Sequence, residues 1–166
     1  MELVASAAAM AIEAHGEQKY GDRPYAAHLI TVVENLHRFG VATPTLVAAA
    51  WLHDTVEDTA VDLEHVREVV GADVARLVHA VTTEAGPDRK TRNAATYPKI
   101  RETPGATVLK LCDRIANVEA CWASRSHKLF MYRDEYPAFR EALRDDEDHV
   151  ALALWAHLDR LLGHRG

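Results

Sequence analysis

Leu46-Val-Ala-Ala-Ala-Trp-Leu-His-Asp-Thr-Val-Glu-Asp-Thr59 is apolar on every side and then turns abruptly ionic. Read as helix at about 100° per residue, with His53 at zero, Glu57 falls at about 40°, Asp54 at about 100° and Asp58 at about 140°. The same sector is apolar one to two turns earlier, at Leu46, Val47, Ala50 and Trp51, and the other side carries Ala48, Leu52 and Val56. A helix of this kind belongs in a core, with its acidic end opening onto a polar cavity. Acids in a last helical turn oppose the macrodipole, by about 0.3–1 kcal/mol each, so a solvated surface turn accounts for them poorly. Burying one unpaired charge is costlier, and a divalent cation is the simplest group that would hold the cluster together.

Outward from this stretch the apolar spacing stays helical. It predicts a helix over about 3–17, a loop over 18–24 with Pro24 placed to start the next helix, and a second helix ending at Gly40. That helix carries Leu29, Val32, Val33, Leu36 and Phe39 on one face. Thr43-Pro44 caps the third helix, which holds the whole quoted motif, and Asp62 caps a short one ending at Gly71. Helices over about 72–83 and 92–102 flank a loop at 84–91. Others over about 106–124, 127–144 and 147–162 complete the chain. Strand signals are nearly absent, because the β-branched residues follow helical spacing. The expectation is an all-α bundle of eight or nine helices forming one domain over 1–166, with a motif-bearing core at about 9–125 and C-terminal helices at about 127–163.

The 166 residues can bury a real core, and their formal charge of −6 argues against a nucleic-acid polymer as partner. No apolar run approaches the ~20 residues of a membrane span, and Glu2 and Glu13 argue against a signal leader. Cys112 and Cys121 fall on opposite sides of one helix and cannot bridge, which fits a reducing cytoplasm. A homodimer is left open. A local basic run, Arg89, Lys90, Arg92, Lys99 and Arg101 against Asp88 alone, reads either as a solvated loop and helix start or as a lip that steers phosphate.

His28 lies at the edge of the second helix's apolar stripe, where a histidine is ordinarily a hydrogen-bonded packing residue. Asp113 and Asn117 sit one turn apart, with Lys110 nearby. Asp113 points away from the stripe formed by Val108, Leu111, Ile115, Val118 and Trp122, and periodicity alone makes it a solvated carboxylate. Its face is nevertheless lined by Ala106, Leu109, Ala116 and Ala120, small enough to leave room for a ligand. Two histidines and two carboxylates suit six-coordinate Mn²⁺ or Fe²⁺ better than a closed tetrahedral zinc site. A metal-bound water becomes a nucleophile near neutral pH, and Glu57 and Asp58, one turn on, would orient it, deprotonate it or protonate a leaving oxygen.

Three strings carry a resemblance. Pro24-Tyr-Ala-Ala-His28, Leu52-His-Asp-Thr-Val-Glu-Asp-Thr59 and Lys110-Leu-Cys-Asp-Arg-Ile-Ala-Asn117 resemble, in order and spacing, motifs of the HD-domain phosphohydrolases. The similarity is to the stringent-response alarmone hydrolases of the RelA/SpoT type and their small single-domain relatives. The resemblance implies an all-α, metal-dependent enzyme in which His28, His53, Asp54 and Asp113 bind one divalent ion, Mn²⁺ in the characterised relatives. Glu57 and Asp58 would be the catalytic acids. Asn117 would contact the nucleotide's sugar or phosphate, Lys19 or Tyr20 would border the base, and Tyr132 matches a later tyrosine near the nucleotide. The implied reaction removes the 3′-pyrophosphate of guanosine tetra- or pentaphosphate, a small anionic nucleotide. The alarmone hydrolases commonly carry an Arg-Lys pair before Pro-Tyr, where this chain has Lys19-Tyr-Gly-Asp-Arg23, and residues 84–101 match only loosely. Tyr20 would stack on a base and Arg23 supply charge there, and Arg89, Lys90 or Lys99 would neutralise the substrate. The alternatives are a nucleotide phosphatase of another HD branch and a metal- or nucleotide-binding sensor without catalysis.

Overall fold

Thr43 starts the quoted helix as its position predicts. Its Oγ1 accepts from the Leu46 N–H at 3.2 Å, and Pro44 fills a first-turn site where no donor is needed. The structure, a computed structural model, describes residues 2–164. Among them lie α1 (Glu2–His15), a hairpin of β1 (Lys19–Tyr20) and β2 (Arg23–Pro24), α2 (Ala26–Arg38), α3 (Pro44–Leu52) and the single turn α4 (Thr55–Asp58). There follow α5 (Leu63–Val70), α6 (Ala72–Val81), α7 (Arg89–Glu102), α8 (Ala106–Ser124), α9 (Lys128–Leu143) and α10 (Leu152–Leu162). The fold is the expected all-α bundle, nine helices of two turns or more plus the turn α4.

Two packing choices position everything else. The alanines of α3 (Ala48, Ala49 and Ala50) are fully buried, as are Ala7 and Ala11 of α1. Side chains this small let the two helices pack along a flat seam, so α3 is apolar all round because it is covered all round. Helix α8 is the second axis, packed against α2, α3, α6, α7, α9 and α10. With neighbours on so many sides, even its nominally polar face is enclosed: Asp113 is buried along with Val108, Leu111, Ile115 and Val118. The solvated carboxylate expected from periodicity is therefore a core carboxylate. Trp122, assigned to the same stripe, is half exposed because α8 overruns the bundle there, and its Nε1–H donates to the Leu161 carbonyl at 3.0 Å.

Four boundaries differ from expectation. Helix α10 starts at Leu152 and not near 147, because Asp145 and Asp148 accept from the main-chain N–H groups of Glu147 and Val150 and hold that stretch in turns. Pro24 does not open α2 but pairs with Lys19 in the hairpin, whose tight turn uses Gly21 at φ +62°. Helix α7 begins at Arg89, because Asp88 accepts from the Thr91 N–H at 2.8 Å and acts as a cap inside the presumed loop. The third helix ends at Leu52 and does not carry the motif to Asp58. Cys112 and Cys121 are unpaired thiols, and burial pushes Cys112 up to about 12. Among the described residues no helix is long and apolar enough to cross a membrane.

Candidate functional site

The end of α3 is made by its own histidine. His53 sits at the C-cap, and its Nδ1–H donates to the Ala50 carbonyl at 2.8 Å, one of the acceptors a helix C-terminus leaves over. That bond fixes the ring, so Nε2 is the nitrogen turned toward the interior. Asp54 then heads α4 without using its side chain as a cap, which leaves the carboxylate available. One turn of α2 supplies His28 and the middle of α8 supplies Asp113, so four ionisable side chains from three segments meet inside the bundle.

Their atoms are close. Asp54 Oδ2 lies 3.0 Å from His53 Nε2 and 3.5 Å from His28 Nε2. Asp113 Oδ1 lies 3.3 Å from His28 Nε2 and 3.6 Å from His53 Nε2. Imidazole nitrogens and carboxylate oxygens at these separations could share one divalent cation. One atom makes the fit specific. His53 Nε2 is fully buried and, despite its nearness to Asp54, lacks the angle of a hydrogen bond and has no hydrogen-bond partner. A divalent ion satisfies such a nitrogen and both carboxylates at once, and the donor set contains no thiolate. Residues His28, His53 and Asp113 form a grouping able to hold a metal ion, their ligand atoms within 4.8 Å of one another.

The electrostatics describe a cluster that is tightly charged. Burial opposes ionisation of Asp54, but the facing imidazoles of His53 and His28 hold its carboxyl well below the usual range. Burial likewise opposes Asp113, and Lys110, 3.2 Å from Oδ2, together with both imidazoles overcomes it. His28 and His53 are desolvated, which lowers them, yet the two carboxylates raise both above the ordinary imidazole value. A second ring of donors holds the ligands in place. Tyr25 Oη–H donates to Asp54 Oδ2 at 2.6 Å, and Asn117 Nδ2 donates to Asp113 Oδ1 at 2.5 Å. Burial and neighbouring Asp54 push the Tyr25 phenol far above its ordinary value, so it remains a donor.

Beside the cluster lies a cavity of about 420 Å³ lined by Lys19, Tyr20, Tyr25, Asn117, Lys128 and Tyr132. Tyr20 stacks on the His28 ring at 4.6 Å between centroids, and its hydroxyl donates to Asn117 Oδ1 at 2.7 Å. On its other side a smaller space of about 250 Å³ is bounded by Arg23, His28, Ala116, Ala120 and Ala123. The small residues of α8 thus do leave room. The exposed acids of α4 stand at the edge: Glu57 Oε2 accepts from the Thr83 N–H at 2.9 Å, and Asp58 Oδ2 accepts from Gln18 Nε2 at 3.3 Å.

Placement of the basic run is different. Arg89 is bound to Glu135, which also takes buried Arg114 at 3.1 Å. Lys99 donates to the Thr82 carbonyl at 2.8 Å and pairs with Glu84 at 2.5 Å. Lys90 and Arg101 border two grooves between α7 and α9. None of these five cations, Arg92 included, lines the tyrosine-rich cavity. The cations that do, Lys19 and Lys128, come from the hairpin and the first residue of α9. Lys128, with Ser124 and Ser126, had no local pattern to announce it; Tyr25 stood in a quoted motif without an assigned role.

The description "HD domain" fits residues 5–158 of the chain. The guanosine-3′,5′-bis(diphosphate) 3′-pyrophosphohydrolase of Aquifex aeolicus is 39% identical over 121 residues, 70% of this chain and 17% of that protein. The human enzyme of that name, MESH1, is 36% identical over 117 residues, and the chain spans 65% of its length. MESH1 of Xenopus tropicalis is 33% identical over 123 residues, 70% of this chain and 68% of that one. A solved structure described as a metazoan ortholog of SpoT that hydrolyses ppGpp superposes with TM-score 0.78 at 24% identity, covering 100% of this chain and 97% of that one. At that identity the match shows a common fold.

Proposed function

We propose that this chain, which belongs to the HD domain family, is a metal-dependent hydrolase that removes the 3′-pyrophosphate from guanosine tetra- or pentaphosphate. The observation that carries the reading is the four-residue cluster, with its partnerless His53 Nε2, opening beside a cavity lined by tyrosines and two lysines. The names of the relatives in Aquifex, human and Xenopus support the substrate class.

His28, His53, Asp54 and Asp113 would hold one divalent ion, Mn²⁺ by the donor set, with Fe²⁺ as the nearest competitor. When bound, such an ion lowers the pKa of water and polarises a phosphoryl oxygen. Hydrolysis adds the oxygen of water to phosphorus and breaks the bond to the ribose 3′ oxygen; one proton leaves the water and one returns to the sugar. Glu57 and Asp58, carboxylates at the solvent edge one turn past the ligands, take and return those protons. Lys110 balances Asp113 and helps keep it ionised. Asn117 holds the sugar edge, Tyr20 and Lys19 border the base, and Tyr132 and Lys128 flank the remaining phosphates.

Purified protein stripped of metal and reloaded with Mn²⁺ tests this against a nucleotide panel with products separated by chromatography. Pyrophosphate and guanosine 5′-diphosphate (5′-triphosphate from the pentaphosphate) are expected, and His53→Ala should abolish release. Orthophosphate as the first product would replace the proposal with a nucleotide phosphatase. One feature favours that second reading, the presence of Tyr20 where the alarmone hydrolases carry a basic residue.

A further inference from the structure

The end of α1 and the hairpin reach into the site from outside, and their contacts form one chain. His15 Nδ1 donates to Gln18 Oε1 at 2.8 Å, which fixes the amide so that its Nε2 points to Asp58 Oδ2 at 3.3 Å. The His15 ring lies flat on the Tyr25 ring, 4.3 Å between centroids and 9° between planes. Tyr25 in turn donates to the oxygen of Asp54 that faces both imidazoles. Main-chain bonds already close this corner, Gln18 N–H to His15 O at 2.8 Å and Tyr25 N–H to Gln18 O at 2.9 Å, so the side chains are not needed to form it. His15 Nε2 is moreover buried without a partner. A phenylalanine would stack as well and carry no orphaned nitrogen, so the imidazole costs stability for something packing does not require.

We infer that His15, Gln18 and Tyr25 are positioning residues that clamp the metal-facing carboxylate of Asp54 and the proton-handling carboxylate of Asp58 in one fixed relation across the α4 turn. The inference rests on the hydrolase reading for Asp58 and on metal binding alone for Asp54. Tyr25 sets the Asp54 arm: hydrogen bonds to ligating carboxylates and their removal commonly change metal affinity by about 10–100-fold. His15 reaches Asp58 through the orientation of Gln18.

Three variants test the clamp, each checked for an unchanged circular dichroism spectrum. Tyr25→Phe keeps the stack and should weaken Mn²⁺ binding by about tenfold or more in calorimetry, with the nucleotide KM within about twofold. Gln18→Met should leave Mn²⁺ affinity alone and lower kcat by about tenfold at unchanged KM. His15→Phe should lower kcat equally while its melting temperature holds or rises, which a structural role would not produce. Because His15 and Gln18 act in series, their double variant should be no slower than either single one. Wild-type Mn²⁺ affinity in Tyr25→Phe overturns the Asp54 arm, and wild-type kcat in Gln18→Met or additive kcat losses overturn the Asp58 arm. A wild-type protein inactive on every nucleotide would sink the proposed function, and with it the Asp58 arm, while the calorimetric result would still decide the Asp54 arm.

Discussion

The two halves of the site are built from different materials. The proposed ligand half comes from α2, the end of α3 and the middle of α8: His28, His53 and Asp113 are 2–7% exposed, and Asp54, at the head of α4, is half-buried. The half proposed to face substrate is assembled from an exposed single turn, a hairpin of two-residue strands and the first residue of α9. Geometry that must not vary is carried by buried helices whose rotamers are locked by packing. The groups proposed to recognise or trade protons with a small molecule sit on short surface pieces that can differ at little cost to the core.

On that division, damage to the buried half should be both the largest and the least selective. His53→Ala or Asp54→Ala is expected to abolish Mn²⁺ binding in calorimetry and to lower turnover by at least about 10³-fold for every nucleotide tried. Glu57→Gln and Asp58→Asn should separate the halves cleanly: full metal occupancy, with kcat reduced by about 10²–10⁴-fold. A fully active Glu57→Gln enzyme would remove that residue from the chemistry and leave it as the anchor of Thr83. Tyr20→Ala should raise the nucleotide KM by about tenfold, as loss of one stacking surface commonly does, with metal affinity unchanged. Equal effects on metal and nucleotide would instead make Tyr20 part of the ligand half, through its stack on His28. Stripping the ion with a chelator should lower the melting temperature. At 100 times the Kd a bound ligand adds about 2.7 kcal/mol, or roughly 5–10 °C for a chain this size. Smallest of all, Thr43→Ala should cost about 1 kcal/mol in denaturant unfolding by uncapping α3, with KM untouched.

The same division explains what could be read from sequence. The capped start of α3, the apolar stripe of α2 and the His-Asp pair were legible because local signals and final structure agree there. Periodicity alone made Asp113 a solvated carboxylate because it describes one face of a helix, whereas α8 is covered on many; the motif resemblance already put it among the ligands. The stop after Leu52 was invisible, since it depends on the His53 side chain reaching back to Ala50. The basic run at 89–101 looked like a phosphate lip because its counter-charges lie partly far away in sequence, above all Glu135, which takes Arg89 and Arg114 together. Lys19 needed no such correction, and Lys128 had no pattern to be read.

The hairpin of Lys19–Tyr20 and Arg23–Pro24 also has an engineering meaning. It is six residues from end to end, joined by a glycine turn, and its Tyr20 and Arg23 border the two spaces beside His28 while contributing no metal ligand. Its side chains are exposed or half-buried, which makes it a place to substitute at little cost to the core. Libraries confined to Lys19, Tyr20 and Arg23 can be screened for altered nucleotide preference on a scaffold whose proposed ion-holding helices are left untouched.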